Sequence, residues 1–263
     1  MSEDAYIDFA VLYDEWQALY PRPFAVALAP RIEAAVKKHG SRVPVLGDLA
    51  CGTGTFAHWW AQRHRGWKVY GTDLSDAMIA SARKPTSPVR KKVTPADRAP
   101  QFFVQDLAAT SLPEKAGVLS CLFDSMNHLL AAPAMSRMLK RVRESLAPDG
   151  LFIFDLIEEE RFAETFEGFS IIDGPDLYVG MQMGSEERRG VLYGDATFTF
   201  FRRQTEHWGR LEFNLRERCW REAELRSLIA KSGLSVVDIE AIDPSEDPDV
   251  YVPRTLWICR NGP

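Results

Sequence analysis

Val45-Leu46-Gly47-Asp48-Leu49-Ala50-Cys51-Gly52-Thr53-Gly54-Thr55 is the stretch on which the fold turns. Its apolar start reads as a buried strand, the small residues as a tight turn, and the amphipathic segment over 55–64 as a helix. Small residues let the backbone approach a ligand, and a helix start offers unpaired N–H groups to an anion. The same alternation continues downstream. Strands are predicted over 67–71, 102–105, 118–123 and 151–156, with helices over 76–83 and 133–146. Ser75 is the expected N-cap of the 76–83 helix, with Asp76 in its first turn. Repeated strand–helix alternation means right-handed crossovers, a mostly parallel sheet and helices on both faces. The fold class is α/β.

Upstream, Phe9, Leu12, Tyr13, Trp16, Leu19 and Tyr20 recur at helical spacing. Pro21 and Pro23 end that segment, and a second helix is expected over 24–38, closed by Gly40. Residues 84–100 contain four prolines and the basic group Arg90-Lys91-Lys92, which reads as an exposed loop. Residues 161–218 change character. Thr197-Phe198-Thr199-Phe200 and Leu211-Glu212-Phe213-Asn214-Leu215-Arg216 alternate, as in an antiparallel sheet with one wet face. Periodicity alone leaves open whether Glu212, Asn214, Arg216 and Arg218 face a pocket or solvent. A helix over 222–231, stopped by Gly233, and strands over 235–239 and 255–259 close the chain. Four regions result: N-terminal helices (1–42), a core (43–160), an inserted sheet (161–218) and the C-terminal part of the core (219–263).

Composition narrows the function. Of the 263 residues 46% are hydrophobic, and seven Trp with fifteen Phe supply a large core, which excludes a disordered chain. A net charge of −5 gives no general attraction for nucleic acid or anionic lipid. No apolar run approaches the roughly 18–20 residues of a membrane span. The acidic start Met1-Ser2-Glu3-Asp4 is unlike a signal peptide, so a cytoplasmic protein is expected. Cys51, Cys121, Cys219 and Cys259 are scattered and read as reduced thiols, with neither a disulfide frame nor a metal site expected.

Three acids fall at three successive strand ends. Asp48 closes the first strand, Asp73 the second and Asp106 follows the third. Asp73 is placed to accept hydrogen bonds from both ribose hydroxyls of a nucleotide-like ligand, and Asp106 to take an exocyclic adenine amino group. The pattern Gly52-x-Gly54-x-x-Ala57 alone also fits a dinucleotide fingerprint of an NAD(P)-dependent oxidoreductase. In that reading the strand runs apolar into the glycines, with no acid where Asp48 stands.

With these motifs the sequence resembles the class I S-adenosylmethionine (SAM)-dependent methyltransferases, in particular the small-molecule branch that includes amino-sugar N-methyltransferases. Asp48 to Gly54 is similar to the glycine-rich first motif, with Ala50 in place of its first glycine. Gly71-Thr72-Asp73-Leu74-Ser75 resembles the second acidic motif, Gln105-Asp106-Leu107 the adenine motif, and Leu146-Ala147-Pro148-Asp149-Gly150-Leu151 the loop before the fifth strand. Ala116-Gly117 departs from the Phe-Asp usual before the fourth strand. The resemblance implies a Rossmann-like seven-stranded sheet whose last strand is antiparallel, and SAM as cofactor.

It also implies roles. Met78 packs on adenine, Leu107 offers its backbone N–H to the ring, and the backbone at Ala50, Cys51, Gly52 and Gly54 approaches the cofactor. In Leu122-Phe123-Asp124-Ser125-Met126-Asn127-His128-Leu129 the resemblance puts the backbone of Leu122 on the methionine amino group and His128 beside the methyl. His128 is then either a proton acceptor or a helix-start histidine. Tyr13, with Trp16 and Tyr20, is either a lid over the cofactor or core packing. The implied activity is methyl transfer to a nitrogen or oxygen of a small molecule, without nucleic-acid or membrane partners. A SAM-binding protein without transferase activity and a protein- or RNA-methylating enzyme are the alternatives.

Overall fold

The computed structural model describes residues 3–20, 22–247 and 249–262, so Pro21 lies outside the described residues. The helices α1 (Glu3–Gln17), α2 (Phe24–Ala27) and α3 (Ala29–His39) precede the sheet. Strands β1 (Val45–Leu49), β2 (Lys68–Asp73), β3 (Gln101–Val104), β4 (Ala116–Cys121) and β5 (Leu146–Ile157) run parallel in the order β3-β2-β1-β4-β5. Their crossovers carry α4 (Thr55–Arg63), α5 (Asp76–Ala82) and α6 (Ala132–Ser145). After α7 (Phe162–Thr165), strands β6 (Gly168–Asp173), β7 (Leu177–Arg188), β8 (Val191–Arg203) and β9 (Trp208–Arg218) form a separate antiparallel sheet. Helix α8 (Glu222–Ser232) returns the chain to the first sheet, where β10 (Leu234–Ile242) takes the edge and β11 (Arg254–Asn261) inserts antiparallel between β10 and β5. This is the seven-stranded Rossmann-like sheet and inserted sheet that the sequence implies.

Every residue of β1 is buried. Alternation sends Leu46 into the layer with Ile32, Phe56 and Trp60, and Val45 and Leu49 into the layer with Leu139 and Val142. The continuous apolar run is therefore the mark of a central strand covered on both faces. A third apolar cluster joins α1 to the inserted sheet through Phe9, Trp16, Phe198, Phe200 and Phe213.

Several local expectations hold in detail. Ser75 caps α5, its hydroxyl accepting the Met78 N–H at 3.2 Å, and Gly233 ends α8 at φ +84°. Others are corrected. The helix expected over 24–38 breaks at Leu28 into α2 and α3. The turn Pro148-Asp149-Gly150 lies within β5, because Leu146 already pairs with Ala116 and a register shift absorbs the extra residues. Arg90 does not belong to an exposed basic group. It is 5% exposed, and its guanidinium donates to the carbonyls of Ser81 in the last turn of α5 and of Lys84 just past it. No helix among the described residues is long and apolar enough to cross a membrane.

Candidate active site

Parallel strands deliver their carboxyl ends to one edge of the sheet, and the sequence-predicted residues gather there. The turn after β1 bends through left-handed backbone at Ala50 (φ +52°), Gly52 (φ +53°) and Gly54 (φ +74°). A Cβ on Gly54 would stand 2.7 Å from the Phe102 ring, so this position takes glycine for two reasons. Ala50 carries the same conformation at a cost of about 1–2 kcal/mol, which explains why a glycine is the commoner choice in the motif it resembles.

The three acids differ in environment. Asp48 is 3% exposed and accepts the Ser120 hydroxyl at 2.8 Å. Burial pushes its carboxyl up to about 7; the Ser120 bond works against the rise and the Asp73 charge adds to it. Asp73 accepts the Gly52 N–H at 2.8 Å on one oxygen and the Ser75 N–H at 2.9 Å on the other, tying the end of β2 to the glycine turn. Each oxygen keeps a free lone pair. Asp106 is exposed and uses one oxygen to accept the Ala108 N–H at 2.7 Å. Beside it Leu107 opens a single 3-10 turn. Leu74 is 65% exposed, whereas Met78 is buried in the cluster that holds α1.

Helix α1 roofs this edge. Phe9 stacks on Phe213 of β9 at 4.1 Å, Trp16 meets Phe198 of β8 edge-on at 5.4 Å, and Tyr13 lies edge-on to both Phe9 and Trp16. Tyr13, Gln17, Asp48, Cys51, Gly52 and Leu122 line a partly open space of about 50 Å³. Burial, followed by the nearby charges of Asp124, Asp14 and Asp73, pushes the Tyr13 hydroxyl far above its usual range, so it remains a neutral donor. Burial likewise raises the Cys51 thiol, which therefore contributes backbone and bulk and no nucleophile.

Sequence reasoning missed two polar groups on α1. The Thr53 hydroxyl donates to Asp14 Oδ1 at 2.5 Å, and Gln17 Oε1 accepts the Phe24 N–H at 3.0 Å. Asp14 Oδ2 and Gln17 Nε2 are buried without partners among the described residues. A buried amide donor left unpaired beside a cavity is a group that a carboxylate ligand would satisfy.

The end of β4 carries the largest departure from ideal backbone. Phe123 (φ +62°) and Asp124 (φ +49°) are consecutive left-handed residues that are not glycine. Asp155, fully buried on β5, holds them by accepting the Phe123 N–H at 2.6 Å and the Asp124 N–H at 3.1 Å. Arg254 of β11 then donates to Asp155 Oδ2 at 2.6 Å and to Asp124 Oδ1, and lies 4.9 Å over the Phe123 ring. His128 stands outside the cavity lining and is half exposed. Its Nδ1 is 3.4 Å from the Arg216 carbonyl and its Nε2 3.9 Å from Glu217 Oε1. Glu217 is buried, although sequence reasoning passed over it. The alternation Leu211-Phe213-Leu215-Glu217 was the available signal, since it carries a carboxyl onto the inward face that Phe213 occupies. The opposite face holds Glu212, Asn214, Arg216 and Arg218, where Arg216 pairs with Asp195 and Arg218 with Glu224.

Residues 46–150 match the family model described as a methyltransferase domain. YqeM of Bacillus subtilis (strain 168), which bears a methyltransferase name, is 23% identical over 255 residues, covering 96% of this chain and 95% of that one. Residues 46–150 are thus a methyltransferase domain. Over 140 residues the methyltransferase is also 28% identical to the dTDP-3-amino-3,6-dideoxy-alpha-D-glucopyranose N,N-dimethyltransferase of Streptomyces fradiae, covering 52% of this chain and 48% of that one. Its fold superposes on the CcbJ methyltransferase of Streptomyces caelestis with a TM-score of 0.73, at 21% identity and with all of both chains covered. The strand-end chemistry suits SAM: carboxylates for hydroxyl and amino donors, and the orphaned Gln17 amide for a carboxylate.

Proposed function

We propose that this methyltransferase methylates a nitrogen or an oxygen of a small molecule. The observation that carries the reading is the roof: α1 and the inward face of the inserted sheet close together over the strand ends through packed aromatic rings, one pair stacked and one edge-on. Residues 1–42 act as a lid and 161–218 as an acceptor cover around a core of 43–160 and 219–263. A space of about 50 Å³ is far below the roughly 300–1,000 Å³ of ligand pockets, so α1 moves to admit ligands. The aminosugar activity named for the Streptomyces fradiae relative supports a small acceptor.

When bound, SAM supplies an electrophilic methyl group on a sulfonium, open to in-line displacement. The chain's own task is alignment and exclusion of water, which can contribute about 7–11 kcal/mol. Asp73 takes the ribose hydroxyls. Asp106 and the Leu107 N–H take the adenine edge, between Leu74 and Met78. The turn through Ala50, Cys51, Gly52 and Gly54, with Asp48 behind it, holds the methionine portion. Gln17 meets its carboxylate and the Leu122 carbonyl its amino group. Tyr13, which lines the space, presents its ring to positive charge, while Trp16 packs behind it.

Calorimetric titration with S-adenosylhomocysteine, NAD and NADP tests the cofactor reading. The expected result is binding of S-adenosylhomocysteine alone, weakened at least about tenfold in Asp73→Ala through loss of charge-assisted bonds. Small amines, phenols and acids are then screened as acceptors. Preference for a nicotinamide nucleotide, or no turnover of any small acceptor alongside turnover of protein or RNA, would overturn it.

A further inference from the structure

Asp124, His128 and Glu217 each bring one ligating atom within 4.8 Å of the others. Asp124 is one residue along the chain from Phe123, which lines the cavity, and its charge reaches Tyr13 on the cavity's other wall. Arg254 is committed to Asp124 and Asp155, which leaves three carboxyl groups around one guanidinium. Glu217 is the unmatched one. It is 3% exposed, and its Oε2 has no hydrogen-bond partner among the described residues.

We propose that Glu217 and Asp124 form the subsite that receives the acceptor as an ammonium and takes its proton. This rests on the small-acceptor reading above and narrows it to amines. An ammonium donates one N–H to each carboxyl, and its charge offsets the surplus negative charge of the cluster. One proton then passes from nitrogen to Glu217, which becomes a neutral carboxylic acid, and the nitrogen keeps the freed electron pair. That pair forms the N–C bond as the S–C bond breaks, with the S–C electrons left on sulfur. His128, half exposed and 3.9 Å from Glu217, is the outlet that returns the proton to solvent.

The electrostatics agree with this assignment. Burial first, and the charge of Asp124 second, hold the Glu217 carboxyl well above the usual carboxylate range, with Arg254 opposing. The groups facing it are Asp124 and His128 after β4, Asp155 from β5 and Arg254 from β11. As pH rises through its raised pKa, Glu217 turns from an acid into a carboxylate and grips a cation more tightly.

Sinefungin, a SAM analogue with an amine-bearing carbon in place of the methylated sulfur, probes the subsite without an acceptor. Calorimetry should show it binding at least about tenfold tighter than S-adenosylhomocysteine, with that advantage growing as pH rises. In Glu217→Gln, and independently in Asp124→Asn, the advantage should fall to about twofold or less while S-adenosylhomocysteine binding persists. An unchanged advantage in folded variants, or a flat pH profile in the wild type, would overturn the proposal. So would Mg²⁺ or Mn²⁺ binding that Glu217→Gln abolishes, since the cluster would then be a metal site. If S-adenosylhomocysteine fails to bind the wild type, it is the cofactor reading that has failed.

Discussion

Arg254→Met should lower the unfolding free energy by about 3–5 kcal/mol, one of the largest losses expected of a single substitution in this chain. Methionine keeps most of the apolar stem and the contact with Phe123, so the change isolates the charge. In the wild type the guanidinium is 6% exposed and bonded to two carboxylates, one of which, Asp155, is wholly buried. Without it Asp155 is a buried anion with no cationic partner, and that, more than any lost attraction, is the source of the cost. Urea unfolding at neutral pH measures the loss. Arg254→Met combined with Asp155→Asn should recover part of it, because the amide carries no charge to strand. A loss under about 1 kcal/mol for the single variant would mean that the cluster is not held together by its ions.

Asp48→Asn is expected to be nearly neutral at acid pH and stabilising at pH 8. The Asp48 carboxyl titrates near 3.8 in an unfolded chain and is pushed up to about 7 in the folded one. Below the lower value the group is neutral in both states and imposes no penalty. Between the two, the unfolded chain ionises while the folded one holds its proton, so stability falls as pH rises. Above about 7 the full penalty applies, on the order of 4 kcal/mol. Asparagine removes the titration and can still accept the Ser120 hydroxyl. The check is urea unfolding of both proteins at a series of pH values. Curves that run parallel across that range would show that Asp48 is ionised at no cost.

The fold was legible because it is written in local signals. β1 is apolar on both faces, the small residues after it fit a left-handed turn, and Ser75 and Gly233 mark helix ends by their own chemistry. The acids at the strand ends were legible for the same reason, since a strand end next to a turn is a local pattern. What escaped depends on pairing across the chain. Nothing near Arg254 announces that β11 sets it between Asp124 and Asp155, 130 and 99 residues upstream. Arg90 looked like part of a basic run and is instead buried against carbonyls at the end of α5. Glu217 was within reach, because the alternation that put Phe213 inside put Glu217 there as well. Its charge hid it, because a carboxylate on an amphipathic strand ordinarily faces solvent.

The pinned turn at Phe123 and Asp124 bears on how the molecule is made. Asp155 holds that turn, but Asp155 is an uncompensated charge until Arg254 arrives from a strand 99 residues later. On the ribosome, β1 to β5 can collapse into a sheet long before β11 emerges, with the catalytic edge still unset. The methyltransferase is thus assembled back to front. Its binding turn comes early in the chain and locks late in synthesis, so a stalled nascent chain would hold a sheet but no working site.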